Sequence, residues 1–288
     1  MKYGGFSTLV LVIALPLLAP DAYADSFTDL AARNFAVLGA TTVTNVPTST
    51  ITGNVGTYSG ITIIGFNSSP GVPVSDPQVT GGTVQAGTAN AMTAQGDASS
   101  AFTTLMGLSG LDLSGKDLGG LTLGAGAYSF SKSAQLTGLL TLNFAGASHE
   151  TIVIDIGSTL TTAKGSSVVL EGWNPTDSVY WAVGSSATLG STTSFEGTII
   201  ANQSDTLITG ATDGCGSVIA LNAAVTLGSN TISTGCNSAT TETVEGLGPG
   251  TTMPGMVVPE LSTFALISCG LLAMGFLAFR KSRATSLI

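Results

Sequence analysis

Between about residues 150 and 233 apolar and polar positions alternate in short runs, and each run is broken by a turn rich in Gly, Ser and Thr. The segments 157–170 (GSTLTTAKGSSVVL), 184–201 (GSSATLGSTTSFEGTIIA), 203–220 (QSDTLITGATDGCGSVIA) and 222–233 (NAAVTLGSNTIS) each carry a Thr-Leu pair followed by such a turn. Thr188 to Thr206 is 18 residues and Thr206 to Thr226 is 20. A repeat of about twenty residues, with strand-like alternation and no helix between, predicts a β-solenoid whose strands stack coil upon coil. In that reading Leu160, Leu189, Leu207 and Leu227 form one inward file, and Ile199, Ile200, Val218 and Ile219 supply another wall. An all-β sandwich with strands every eight to twelve residues is the alternative.

One segment departs from the strand pattern. Residues 85–106 (QAGTANAMTAQGDASSAFTTLM) place Ala91, Ala94, Ala98, Phe102 and Leu105 near a helical period, which predicts one amphipathic helix. Gly87 and Gly96 weaken it as an isolated helix, so packing along the solenoid must hold it. The Pro- and Ser-rich stretch 65–78 reads as an irregular cap over an open solenoid end, where unpaired strand edges invite aggregation.

The two ends read as targeting segments. Lys2, the apolar run Leu9 to Ala19 and Ala22-Tyr23-Ala24 have the form of a secretory signal over residues 1–24. A spanning helix is the competing reading of that run, which Pro16 and Pro20 interrupt. Leu261 to Phe279 is long enough to cross a bilayer, and Arg280-Lys281-Ser282-Arg283 behind it predicts a cytoplasmic end with the body outside. Residues 237–256 read as a linker, leaving 25–236 as the folded domain. The tail from Val257 onward resembles the bacterial PEP-CTERM sorting signal, with Leu261 where that signal's box carries its second Pro. The resemblance implies a membrane anchor and a sorting protease as partner.

Composition narrows the possible functions. Charged residues make up only 9% of the 288 positions against 38 Gly, so solvent-facing polarity must come from hydroxyls and amides. The formal charge is −9, and four of the eight basic residues lie at the termini, which excludes nucleic acid as a partner. Cys215 and Cys236 read as a disulfide in an exported chain, closing a loop of about twenty residues for roughly 3 kcal/mol. Cys269 falls in the apolar tail. No paired Cys/His spacing points to a metal, and no cofactor is implied. His149 beside Glu150 and the carboxylates Asp155, Glu171 and Asp177 are the residues an enzyme would draw on. No motif joins them into a nucleophile elbow or phosphate loop, and the expectation is a protein without catalysis.

Several ordered blocks carry a family resemblance: 34–56, the Ala-rich helix, 118–130, 136–146, 151–170, 179–201 and 222–233. Together they resemble the microbial ice-binding proteins. The resemblance implies a mainly β fold, an irregular right-handed three-faced β-helix with one long α-helix alongside, and an ice crystal surface as partner. Its face motif, Thr-(Ala/Gly)-x-(Thr/Asn), selects positions two residues beyond each Leu: Thr162 in TAKG, Ser191, Thr192 and Ser194 in STTS, Thr209 and Thr212 in TGAT, and Ser229 and Thr231 in SNTI. Lys164 would interrupt such a file if it pointed outward. The alternative function is a surface or matrix adhesin of the same fold, binding exopolysaccharide through its hydroxyls.

Overall fold

The computed structural model of the chain describes residues 31–235. The signal segment, linker, apolar tail and Cys236 lie outside them. The described chain is a β-helix of three parallel sheets with one α-helix against the first.

Sheet A stacks β7 (Val84–Ala86), β4 (Asn54–Thr57), β1 (Phe35–Gly39), β22 (Val218–Ala220), β19 (Thr198–Ala201), β16 (Ser178–Val183), β13 (Thr151–Ile156), β10 (Gly126–Phe130) and β8 (Leu111–Asp112). Sheet B stacks β11 (Ala134–Leu136), β14 (Leu160–Thr162), β17 (Ala187–Leu189), β20 (Asp205–Leu207), β23 (Val225–Leu227), β2 (Thr42–Asn45) and β5 (Thr62–Ile64). Sheet C stacks β6 (Val79–Thr80), β3 (Thr50–Thr52), β24 (Thr231–Ser233), β21 (Thr212–Asp213), β18 (Ser194–Phe195), β15 (Ser167–Glu171), β12 (Leu139–Asn143) and β9 (Thr122–Gly124).

Spatial order is not chain order. The first coil, β1 to β3, lies inside the stack, and β4 to β7 build from it toward one end. The helix α1 (Ala89–Leu105) then carries the chain along sheet A, and β8 resumes at the other end. Later coils stack back until the last rests on the first, with Val218 opposite Val37, Val225 opposite Val43 and Thr231 opposite Thr50. Thus a local twenty-residue repeat is closed by pairings between the two ends of the domain.

The helix begins at Ala89 rather than near residue 85, because Val84–Ala86 is claimed by sheet A and Gly87 turns the chain at φ 64°. Thr88 caps it by accepting the Ala91 N–H at 3.2 Å. Ala91, Ala94, Ala98, Ala101 and Leu105 are buried against Leu38, Tyr180, Ala182, Ile200 and Ile219, and Phe102 is half-buried at the margin. Small Ala side chains let the helix lie close to the sheet. Gly96 is on the open side, where nothing stands near a would-be Cβ.

The core fills the space between the sheets, with the Trp181 and Phe195 rings in tilted contact at a centroid separation of 4.8 Å. The expected single Leu file needs correction. Leu160 stands opposite Ala187, whereas Leu189 stands opposite Leu207. Thr162, not Leu160, occupies the file of Leu189, since Thr161 is opposite Thr188. A slip of two residues keeps every side chain on its own side of the sheet, so the alternation could not reveal it. The expected Ile/Val wall divides as well: Ile199 and Val218 enter the main core, while Ile200 and Ile219 face the helix.

Candidate functional site

Of the three outer sheet surfaces, that of sheet A is covered by α1. Among the described residues no helix covers sheets B and C, and their side chains differ.

On sheet B the strands alternate strictly between buried and outward residues. Thr161, Thr188, Thr206, Thr226 and Thr44 occupy one outward register position on five adjacent strands. Gln135 extends the file at one end and Ile64 at the other. Two residues earlier, Thr159, Ser186, Ser204 and Ala224, each just before its strand, and Thr42, the first residue of β2, form a second file. There Ser204 Oγ donates to Ser186 Oγ at 3.0 Å, and Thr159 Oγ1 donates to Ser133 Oγ at 2.8 Å. The files repeat about every 4.8 Å across the coils and lie about 6.6 Å apart along the strands. No charged side chain projects from the seven strands; the one acid among them, Asp205, faces the core. Thr188, Thr206 and Thr44 are half-buried by their neighbours, which limits the rotamers of side chains already stiff at χ1.

Sheet C carries one comparable file, Ser167, Ser194, Thr212, Thr231 and Thr50, in continuous register. Its surroundings are less uniform. Leu139 and Val169 are exposed on the same sheet, Glu171 accepts from Asn143 Nδ2 at 3.2 Å, and Glu196 follows β18 directly.

The turns joining sheets B and C, at 163–166, 190–193, 208–211 and 228–230, stack into a corner. Gly165, Thr192, Gly210 and Ser229 take left-handed φ values of 70°, 55°, 76° and 55° in those four turns. A Cβ on Gly210 would lie 3.3 Å from Thr192 Cγ2, which shows how closely the turns follow one another.

The residues selected by the face motif therefore separate. Ser194, Thr212 and Thr231 share the sheet C file, while Ser191, Thr192, Thr209 and Ser229 lie in the corner turns. Thr162 is on neither surface. It is 3% exposed, shares a hydrogen bond of 2.7 Å with Thr193 Oγ1 and accepts the Gly190 N–H at 2.8 Å. The motif position counted from Leu160 falls, through the register slip, on an inward residue. Lys164 is exposed in a corner turn, outside the strands of sheet B. The sheet B file lies outside the motif positions, which fall two residues beyond each Leu. The Thr of the Thr-Leu pair, outward by alternation, was itself the signal.

The candidate catalytic groups are dispersed. Asp155 is on sheet A, with its carboxyl raised above the usual range by burial. Glu171 is on sheet C, and Asp177 is a buried turn residue accepting the N–H groups of Glu150 and Asn174 at 2.9 and 2.8 Å. His149 is exposed, and its N–H donates to Thr176 Oγ1. A cavity of about 40 Å³ opens among Arg33, Trp173, Asp177, Tyr180 and Cys215, with space for a few waters. Among the described residues no group of three or more His, Cys, Asp or Glu is placed to hold a metal. The acids that do interact are Glu196, pushed up to about 7 by burial, and Asp213. Asp213 is raised first by burial and then by Glu196, against the backbone groups of Cys215 and Gly197.

Comparison with known proteins places this architecture among relatives. The profile of the family described as Ice-binding-like matches residues 37–233. An ice-binding protein of Nostoc sp. (strain HG1) is 40% identical over 279 residues, 96% of this chain and 95% of that protein. The crystal structure of an ice-binding protein from the Antarctic ascomycete Antarctomyces psychrotrophicus superposes with a TM-score of 0.61 at 32% identity, covering 71% of this chain and 96% of that one. An ice-binding protein from an Arctic yeast, whose structure was related to antifreeze activity, gives 0.63 at 26% identity, covering 79% and 96%.

Proposed function

This chain belongs to the Ice-binding-like family, and from that premise we propose that it binds ice through the outer surface of sheet B, slowing ice growth or recrystallisation. The observation that carries the assignment to sheet B is the unbroken file Thr161, Thr188, Thr206, Thr226, Thr44. Seven strands give a surface roughly 29 Å long, with hydroxyls and methyls repeating at strand spacing. Methyl groups hold water in the troughs between files, and hydroxyls fix its orientation, so an ordered layer merges with the crystal lattice. Charged groups would orient water radially and break that order, and sheet B projects none. Rigid threonines lose little freedom on adsorption.

The activity is exerted outside the cell. Residues 1–24 direct export, a Cys215–Cys236 bridge clips the last coil, and the tail with its span at 261–279 anchors the protein until a sorting protease acts. Among the described residues no helix is long and apolar enough to cross a membrane, and the expected span lies outside them. The protein needs no cofactor and performs no catalysis. The test is partition into slowly grown polycrystalline ice. Native protein is expected to be enriched in the ice and Thr188→Tyr to remain in the liquid. Exclusion of both, with retention on exopolysaccharide, would indicate the adhesive role instead.

A further inference from the structure

Beneath the corner between sheets B and C runs a buried polar layer. Ser166, Thr193, Ala211, Asn230 and Ser49 each immediately precede the first residue of β15, β18, β21, β24 and β3, so the sheet C register places them in one file. All five are buried. Ser166 Oγ shares its proton between Ala163 O in its own corner and Leu136 O in the neighbouring coil, both at 2.9 Å, and Thr193 Oγ1 donates to Ala163 O at 3.2 Å. Ala211 breaks this layer because it has no polar side chain. Asn230, from the next coil and 2% exposed, supplies what is missing.

Its Nδ2 donates to Ile208 O at 3.1 Å and to Ala211 O at 2.9 Å, the two ends of the turn 208–211. Its Oδ1 accepts the Gly228 N–H at 2.6 Å, and its own N–H donates to Ser49 Oγ at 2.9 Å. One planar amide therefore ties the turn 208–211 to the turn 228–230, and the backbone N–H of the same residue ties them to Ser49 in the next coil. Directly above it are the exposed Thr209 and Ser229, which follow the outward Thr206 and Thr226 along the same coils.

We propose that Asn230 is a positioning residue for ice binding: it holds the corner so that the sheet B surface continues onto Thr209 and Ser229. The inference rests on the assignment of ice binding to sheet B. A rigid crystal plane tolerates no step in the surface it meets, so the height of the corner relative to the Thr file decides whether these two hydroxyls join the contact. A flexible side chain would leave that height undefined. A planar amide with both protons and its oxygen engaged sets it.

The test uses the full protein carrying a fluorescent label, adsorbed to a single-crystal ice hemisphere to read the planes bound, together with the freezing gap and the thermal midpoint. Asn230→Ala is expected to reduce the gap roughly fivefold, the scale of one misplaced hydrogen-bonding contact, and to change the pattern of labelled planes. Asp177→Ala removes a buried turn-holding group at the corner farthest in sequence order from sheet B, between sheets C and A, and controls for lost stability. It is expected to keep the native pattern. Thr209→Ala removes the exposed hydroxyl without touching the buried layer, and should reproduce the plane change even where Asn230→Ala fails to fold. A native pattern in both Thr209→Ala and folded Asn230→Ala, with activity lost only in proportion to unfolded protein, would overturn the proposal. Full activity in Thr206→Tyr would instead remove the sheet B assignment on which it rests.

Discussion

Thr188 and Thr206 stand opposite each other on neighbouring coils, and Leu189 and Leu207 stand opposite each other one residue further on. The same dipeptide supplies the outer hydroxyl file and the inner wall, so its two halves should fail in different ways. Leu189→Ala is expected to cost about 2–5 kcal/mol of stability by leaving a cavity. Thr188→Ala should stay within about 0.5 kcal/mol, as outward substitutions usually do. Only the second should weaken inhibition of ice recrystallisation at temperatures where both proteins are folded. Calorimetry and a recrystallisation assay on the two variants separate these effects.

Thr192 holds a left-handed backbone, φ 55°, at a corner where the turns at Gly165 and Gly210 use glycine. A β-branched residue is strained there, by about 1–3 kcal/mol. Thr192→Gly is expected to gain up to about 1 kcal/mol after the greater chain entropy of glycine is subtracted. For a domain of this size that raises the thermal midpoint by about 2–4 °C. Scanning calorimetry would read it directly.

Asp205 faces the core between Ala187 and Val225, and neither carboxylate oxygen has a hydrogen-bond partner. Burial raises its carboxyl, and that of Asp213 in the same coil, well above the ordinary value. Both are therefore protonated in the fold, while the unfolded chain releases its protons above about pH 4. Stability is full below that point and falls as pH rises, by about 1.4 kcal/mol per unit for each group, until the folded-state value is passed. Asp205→Val matches the apolar neighbours in its file. It is expected to flatten the fall and to raise stability at pH 8, measured by urea unfolding between pH 4 and 8.

The repeat, the solenoid and the helix were legible because alternation and helical period are local properties of the sequence. The stacking order was not. Pairing of Val37 with Val218 and of Thr50 with Thr231 joins residues about 180 apart in the chain, and no local pattern encodes it. The candidate site was legible in part. Thr188, Thr206 and Thr226 were visible in the repeated Thr-Leu pairs, but Thr161 and Thr44 lack a following Leu and join the file only through register. Thr162 was misplaced because Thr159-Leu160 imitates the repeat two residues early. The proposed role of Asn230 has no sequence signal, since its contacts are with the carbonyls of Ile208 and Ala211 in the coil before.

The most direct measurement observes a single ice crystal in a nanolitre droplet, comparing the native protein with Thr206→Tyr at the centre of the sheet B file. The native protein is expected to facet the crystal and open a gap between melting and freezing. Thr206→Tyr, with its thermal midpoint unchanged, is expected to leave the crystal round and the gap closed. A folded Thr206→Tyr variant that facets the crystal as the native protein does would contradict the placement of ice binding on sheet B.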